Sequence, residues 1–354
     1  MAGGQGAGPG VSDRPDSLGM FDVAAAFPEQ VADAVAVGEA VGPLPEHDDV
    51  ANVLVLGMGG SGIAGDLLAA VAGPFMPVPV VVHKGYEPPS FVDRATLVIA
   101  VSFSGNTEET LEAVQEARAA GGQVLAVAHG GELARLAAEW GAPCVPLPDD
   151  IPMPRAALGA LSIPLLVVLE RIGLFPGATG WVHLAVEQLQ RRRDQLVGPA
   201  SPAVALAHKL GRTMALVQGG EALGGVAAAR WKAQLNENAK VPAFANVVPE
   251  LCHNEICGFG QDGDVTRQVF TLLQLRHDHE HPQVSRRFAL VADILDEVVA
   301  GVHEVRAEGD GPLAQLLDLV LMGDFVSLEV AAREGVDPGP IPVLEDLKAA
   351  LTPG

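Results

Sequence analysis

The sequence predicts an α/β protein with two doubly wound parallel sheets. Short apolar runs alternate with helical stretches, which is typical of parallel strands joined by helices. Glycine-rich or hydroxyl-rich turns follow two of these runs, and the strand-to-glycine layout of residues 52–60 recurs at residues 213–220. The chain has 354 residues, a length that favours two domains of ~150 residues each. The repeat therefore indicates a duplicated α/β unit.

The first half of the chain contains five predicted strands. A short amphipathic helix is expected over Asp22–Gly38. The first strand, Asn52–Gly57, is the continuous apolar run expected of a strand buried on both faces. A glycine-rich turn and a helix follow it. Further apolar runs complete the predicted sheet at Val78–His83, Thr96–Val101, Val124–Ala128 and Cys144–Leu147.

The second half repeats this alternation after a helical connection over residues 155–196. Thr213–Gly220 opens the second sheet, and a helix over Leu223–Lys240 follows it. The remaining predicted elements are two strands, the helix between them and two closing helices: Val269–Leu275, Val302–Ala307, Arg287–Val299, Leu313–Arg333 and Ile341–Leu351.

These elements suggest the domain boundaries. A disordered leader over residues 1–20 is rich in Gly, Pro and Ser, and it lacks the basic start and apolar core of a secretory signal. The predicted units after it are a first domain, a helical connection, and a second domain with closing helices, over residues 21–160, 161–200 and 201–354.

The composition argues against several classes of partner. Lys and Arg number 22 against 44 Asp and Glu, a formal charge of −22. A chain this acidic repels phosphate backbones and anionic bilayers outside local pockets, so neither nucleic acid nor a membrane is an expected partner. No apolar run reaches the ~20 residues of a membrane helix. The three cysteines match no disulfide or metal spacing, so we expect a cytoplasmic protein.

Residues 57–62, GMGGSG, form a glycine loop between the first strand and its helix, in the G-x-G-x-x-G pattern. A dinucleotide site would need an acidic residue at the end of the second strand, but that strand ends in His83-Lys84. A tight turn required only by packing is the structural alternative. Binding of a phosphate needs only free backbone N–H groups and a hydroxyl at a helix start, which are available at Gly59, Gly60 and Ser61.

Residues 102–107, SFSGNT, form a hydroxyl loop after the third strand. Its hydroxyls, at Ser102, Ser104 and Thr107, lie at the carboxyl end of a buried strand, where open α/β sheets bind ligands. Hydroxyls can donate to phosphate oxygens. The alternative is an N-cap for the following helix, but one cap uses only one of the three hydroxyls.

With these two loops, the chain resembles a known family. GMGGSGIAGD followed by SFSGNTEET resembles the sugar isomerase (SIS) domain. The second half is similar to the bifunctional phosphoglucose/phosphomannose isomerases, and the resemblance extends over residues 50–351. Phe103 stands where a tyrosine is usual, but no polar catalytic position departs from the family pattern. The matching segments are RWKAQLNENAK (230–240), PELCHNEI (249–256), GVDPGP (335–340) and DLK (346–348).

The resemblance also implies the catalytic residues. Isomerisation of a hexose 6-phosphate needs a base at C2, a ring-opening acid/base and a cation for the enediolate. The implied groups are Glu237 as base, Arg155 facing the enediolate, and His253 with Lys348 for ring opening. Glu237 precedes Pro242 at the negative end of a helix, which disfavours a charged carboxylate. Without the resemblance, each of these residues would be interpreted as an ordinary surface or structural side chain.

The implied activity is interconversion of glucose 6-phosphate or mannose 6-phosphate with fructose 6-phosphate through a cis-enediol, with no metal or organic cofactor. The implied assembly is a homodimer with a shared active site, in which His253 comes from the partner subunit. His253 lies between two glutamates, which favours its protonation. Two alternatives stay open: a non-catalytic phosphosugar-sensing SIS protein, or another SIS-domain phosphosugar enzyme.

One further pattern suggests a metal. His277, His279 and His281 alternate in the sequence, and histidines on the same face of a strand can share an ion. Pro282 and the flanking charges favour a solvated loop instead. We therefore expect no metal site there.

Overall fold

The computed structural model describes residues 15–198 and 200–351. Within these residues, all strands belong to two parallel sheets. The strands are β1 (Asn52–Gly57), β2 (Val80–His83), β3 (Thr96–Val101), β4 (Gln123–Ala128), β5 (Cys144–Pro146), β6 (Met214–Gly220), β7 (Ala243–Val248), β8 (Phe270–Arg276) and β9 (Gly301–Arg306). The helices are α1 (Met20–Ala25), α2 (Phe27–Ala40), α3 (Gly59–Val71), α4 (Glu108–Ala119), α5 (Gly131–Trp140), α6 (Leu158–Ile172), α7 (Ala178–Leu196), α8 (Pro202–Leu210), α9 (Glu221–Glu237), α10 (Gly263–Val269), α11 (Pro282–Leu295), α12 (Pro312–Glu334) and α13 (Pro342–Leu351).

The first sheet has the order β2-β1-β3-β4-β5, with every pair parallel. All of β3 is buried because helices cover both faces of the sheet. The five strands lie where the sequence predicts them. The predicted helix over Asp22–Gly38 is instead two helices, α1 and α2, which meet at Ala26. Pro28 lies in the first turn of α2, a position where proline favours a helix start.

The second sheet has the order β7-β6-β8-β9, again all parallel. Strand β7 is absent from the sequence prediction. It is an edge strand whose side chains are partly exposed, including Phe244, and Asn246 interrupts its apolar pattern. An edge strand needs no continuous apolar run, so the sequence signal for β7 is weak.

Helix α12 forms the centre of the second half and is buried over most of its length. It packs against α7, α8 and α9. The Trp231 indole of α9 donates to the Leu319 carbonyl at 2.7 Å and lies against Gly323, where a Cβ would be 2.3 Å from the indole nitrogen. Only glycine permits this approach. Helix α9 is therefore fixed against α12 before it reaches its carboxyl end.

The predicted leader lies largely outside the described residues, at 1–14. Just after them, the Ser17 N–H donates to the Asp337 carboxylate at 3.3 Å, so the start of the described chain lies against residues 337–339. Every helix in residues 15–198 and 200–351 is too short or too polar to cross a bilayer.

Candidate active site

Two loops meet at the carboxyl ends of the neighbouring strands β1 and β3. The Ser61 hydroxyl accepts a hydrogen bond from the Phe103 N–H at 3.0 Å, which joins the glycine loop directly to the hydroxyl loop. Helix α3 begins at Gly59, and the N–H groups of Gly59 and Gly60 donate to no acceptor among the described residues. Free N–H groups at the positive end of a helix dipole attract anions.

The hydroxyl loop does not use its side chains to cap α4. The Ser102 and Thr107 hydroxyls lie 2.8 Å apart and hydrogen bond to each other, and Thr107 makes no side-chain cap bond. The Ser104 hydroxyl accepts a backbone N–H at 3.2 Å, which leaves its own hydrogen to donate. Gly105 has a φ of +71°, and a Cβ there would lie 1.8 Å from the Gly130 oxygen. Only glycine allows the loop to turn at this point.

The end of β2 carries a cation where a dinucleotide site needs a carboxylate. Lys84 follows the last residue of β2, and its Nζ lies 2.5 Å from Asp66 Oδ2. The geometry agrees with the sequence in favouring phosphate over a dinucleotide at the glycine loop.

Arg155 lies directly behind the glycine loop, since a Cβ on Gly60 would be 3.0 Å from the Arg155 backbone nitrogen. Arg155 is 3% exposed, and hydrogen bonds to one side-chain amide and two backbone carbonyls fix its guanidinium. Nε donates to Asn238 Oδ1 at 2.7 Å, and Nη2 donates to the carbonyls of Pro338 and Gly339 at 2.5 and 2.8 Å. Burial lowers the pKa of Arg155 to about 10, although nearby carboxylates oppose the shift, so the side chain is protonated at neutral pH.

Glu237 is the last residue of α9, and its carboxylate faces Arg155. Oε2 of Glu237 lies 3.5 Å from Arg155 Nη1. The bonds to Asn238, Pro338 and Gly339 use Nε and Nη2, so Nη1 remains available to face Glu237. The Glu237 side chain is 28% exposed, so a ligand can reach it. Asn238, the next residue, donates to the Ser327 hydroxyl at 2.9 Å and holds this helix end against α12.

Lys240 is a second cation beside Glu237, and its sequence context indicates no role for it. Its Nζ donates to the carbonyl oxygens of Glu237 and Asp337 at 2.8 and 2.9 Å. Burial, followed by repulsion from Arg155, lowers the pKa of Lys240. Its φ of +56° is unusual for a residue with a side chain. The sequence signal for it is weak, because Lys240 is simply the last residue of the predicted helix Leu223–Lys240.

His253 lies apart from this cluster within the described residues. It is the exposed last residue of a 3-10 turn, Glu250–His253, and makes no hydrogen bond or ion pair with Glu237 or Arg155 in residues 15–198 and 200–351. Its two neighbouring glutamates accept instead from asparagine amides, Glu250 from Asn254 and Glu255 from Asn246, at 3.0 and 2.7 Å.

Lys348 lies on the exposed helix α13, which has no buried residue. The segment that leads into α13 passes Arg155 through the carbonyls of Pro338 and Gly339. The structure therefore brings together the two loops, Arg155 and Glu237, and it places Lys348 on a helix that begins nearby.

The prediction of a solvated histidine loop is wrong for His277. This residue is 3% exposed because it follows β8 and packs beneath the end of β6, where Nε2 lies 3.1 Å from the Gly220 oxygen. His281 is exposed, and its Nδ1 accepts the Gln283 N–H at the start of α11. No group of three or more His, Cys, Asp or Glu residues in the described part of the chain is arranged to hold a metal.

Comparisons with known proteins place the chain in a family. The bacterial phospho-glucose isomerase C-terminal SIS domain matches residues 200–351, and the SIS domain matches residues 49–140. A bifunctional phosphoglucose/phosphomannose isomerase of Caldicellulosiruptor bescii is 34% identical over 94% of this chain and 98% of its own. The chain belongs to the bifunctional phosphoglucose/phosphomannose isomerase family.

A second member of the bifunctional phosphoglucose/phosphomannose isomerase family, from Aquifex aeolicus, is 32% identical over 86% of this chain and 94% of its own. The C-terminal domain of a glucosamine-fructose-6-phosphate aminotransferase from Francisella tularensis has the same fold, with a TM-score of 0.68 at 15% identity. That match covers 91% of this chain and 98% of the other. The prediction of two SIS-type parallel-sheet units is confirmed.

The buried His277 predicts a stability that depends on pH. Burial lowers the pKa of His277, and Nδ1 has no hydrogen-bond partner among the described residues. The unfolded chain therefore binds a proton more readily than the folded chain once the pH falls below ~6.5, the ordinary pKa of histidine. Stability is fully present above that pH and is lost below it, by at most ~1.4 kcal/mol per pH unit.

We expect His277→Gln to lose less stability between pH 7 and pH 5.5 than the wild type, measured by urea unfolding at each pH. His183→Gln, at an exposed position on α7, is the control and should keep the wild-type pH dependence. An equal loss of unfolding free energy in His277→Gln and in the wild type would show that His277 does not contribute to the pH dependence.

Proposed function

We propose that the chain is an aldose–ketose isomerase that interconverts glucose 6-phosphate or mannose 6-phosphate with fructose 6-phosphate. The observation that carries the proposal is the pair formed by Glu237 and Arg155, a carboxylate and a guanidinium 3.5 Å apart, behind a loop with free N–H groups. The names of the relatives, bifunctional phosphoglucose/phosphomannose isomerases, support the substrate class.

In the proposed reaction, the two loops hold the 6-phosphate. The N–H groups of Gly59 and Gly60 point from the start of α3, and the hydroxyls of Ser61, Ser102, Ser104 and Thr107 lie beside them. These donors are neutral, so an anion bound there gains hydrogen bonds and the helix dipole without a buried counter-ion. Binding at this place would direct the sugar carbons towards Arg155 and Glu237.

Proton transfer then needs one base and one cation. The Glu237 carboxylate takes the C2 proton, and the C2–H electron pair moves into the enediolate as the C1 carbonyl oxygen becomes negative. Arg155 Nη1 stabilises that charge because it is fixed before the reaction begins. Glu237 returns the proton to C1 as the enediolate collapses to a C2 carbonyl, and the proton of the C2 hydroxyl passes to the C1 oxygen. The intermediate is planar at C2, so both C2 epimers reach it, and the electron balance requires no cofactor.

The remaining assignments extend this proposal. We assign ring opening to His253 and Lys348, with His253 supplied by the partner subunit of a homodimer, because His253 is exposed and does not bond to Glu237 within the described part of its own chain. We further propose a cytoplasmic location, supported by the three cysteines, which match no disulfide spacing.

The direct test is a coupled assay of the purified protein with glucose 6-phosphate and with mannose 6-phosphate, before and after exhaustive chelation. We expect turnover of both substrates and no loss on chelation. Activity lost on chelation and restored by zinc would contradict the cofactor-free mechanism. Binding of both sugars without turnover would indicate a phosphosugar sensor.

We expect Glu237→Gln to abolish isomerisation of both epimers while phosphosugar binding stays nearly intact. Glutamine keeps the shape and one oxygen but cannot accept the C2 proton, and loss of a general base typically costs ~10²–10⁴-fold in rate. The measurement is exchange of the substrate C2 proton in deuterated water, followed by NMR. Exchange at the wild-type rate would show that Glu237 is not the base, and unequal losses for the two epimers would indicate a second base.

We expect Ser104→Ala and Thr107→Ala to raise KM more than they lower kcat. The phosphate does not react, so its contacts are equal in the ground and transition states and contribute uniform binding. Steady-state kinetics with glucose 6-phosphate give both constants. Thr179→Ala is the control, because it removes a hydroxyl that lies away from the site. The Thr179 hydroxyl donates to Glu170, near the carboxyl end of α6. An unchanged KM in both loop variants would assign these hydroxyls to the loop structure alone.

A further inference from the structure

The Lys240 ammonium joins two segments that are far apart in sequence. It donates to the carbonyls of Glu237 and Asn238 at 2.8 and 3.4 Å, where α9 ends. It also donates to the carbonyls of Asp337 and Pro338 at 2.9 and 3.2 Å. The carbonyls at a helix end have no intrahelical partner and favour a cation, so one ammonium satisfies the end of α9 and binds the second segment there.

The backbone at Lys240 is shaped for this contact. Its φ of +56° lies in the left-handed region, which costs energy for any residue with a Cβ and which glycine adopts freely. A glycine would make the same turn more easily but would lack the ammonium. The presence of lysine at this place therefore points to a use for its charge.

The second segment, residues 337–339, is held from three sides. Arg155 donates to the carbonyls of Pro338 and Gly339. The Asp337 carboxylate accepts the N–H groups of Ser17 and Gly339 at about 3 Å. Lys240 supplies the third contact. It connects the segment directly to the backbone at the end of α9, beside the indirect connection that Arg155 makes through Asn238.

This segment determines where α13 begins. Helix α13 starts at Pro342, three positions after Gly339, and none of its residues is buried. A helix without buried residues depends on its connection for its place, because it gains little from packing. The contacts on residues 337–339 therefore fix the start of the helix that carries Lys348.

We propose that Lys240 is a positioning residue, whose ammonium fixes the helix end bearing Glu237 relative to the segment that leads into α13. The structural consequence of this contact is a fixed start for α13. The catalytic consequence rests on the proposed isomerase function, because the contact can affect catalysis only if Glu237 and Lys348 act on the same sugar. Lys240 itself touches no reacting atom in this role.

Lys240→Gly tests the proposal, since glycine keeps the left-handed turn and removes only the side chain. The matched control is Lys232→Ala, which removes an exposed lysine from α9, the helix that precedes Lys240. Two measurements are made on each full-length variant: hydrogen–deuterium exchange of peptides covering residues 335–351, and steady-state kinetics with both hexose 6-phosphates. Thermal unfolding checks that each variant is folded.

We expect Lys240→Gly to unfold at or above the wild-type temperature, to exchange several-fold faster over residues 335–351, and to lose kcat by roughly 10- to 100-fold, the cost of misplacing a reacting group by about 1 Å. KM should change little, because the phosphate loops lie elsewhere. Lys232→Ala should match the wild type in every measurement.

Unchanged exchange over residues 335–351 in Lys240→Gly would overturn the proposal. Faster exchange with an unchanged kcat would also overturn it, because the contact would then exist without positioning a catalytic group. If the wild-type protein turns over neither sugar, the proposed function fails, and the exchange measurement still decides whether Lys240 fixes the start of α13.

Discussion

The site depends on one buried guanidinium whose nitrogens are divided among different partners. Arg155 uses Nε and Nη2 for a side-chain amide and two backbone carbonyls, and this leaves Nη1 facing Glu237. Burying a guanidinium is costly unless its N–H groups are satisfied. The same bonds that satisfy Arg155 therefore aim its remaining nitrogen at the carboxylate and hold Pro338 and Gly339 beside it.

Contacts with the buried helices of the second half of the chain fix the position of Arg155. Arg230, on α9, is buried and pairs with Asp324 of α12 at 3.0 Å, while it also donates to the Arg155 backbone carbonyl. Asn238 connects Arg155 to the Ser327 hydroxyl of α12. Because α12 is packed on most sides, these contacts give the loop before α6 and the end of α9 a common rigid support.

The sequence predicts the parts of this molecule whose signals are local. Strands buried on both faces, such as β1 and β3, appear as apolar runs, whereas the edge strand β7 does not because Phe244 is exposed. The burial of His277 depends on Gly220, which lies in a different strand, so the sequence cannot separate it from its neighbouring histidines. Lys240 acts on carbonyls about a hundred positions away, and only the folded chain reveals that contact. The pairing of Arg155 with Glu237 could be expected only from the family resemblance.

The placement of charge in the site fits the proposed chemistry better than it fits binding alone. The glycine and hydroxyl loops offer neutral N–H and hydroxyl donors, and the nearby cation Lys84 is paired with Asp66, whereas Arg155 faces the Glu237 carboxylate. A cation at the phosphate would stabilise substrate and transition state equally and would not accelerate the reaction. In the proposed reaction, a cation beside the base lies where negative charge develops on the sugar oxygens, so its effect grows as the enediolate forms. In a chain with a formal charge of −22, this arrangement places one buried cation, Arg155, beside the proposed base, while Lys240 bonds to the backbone that carries it.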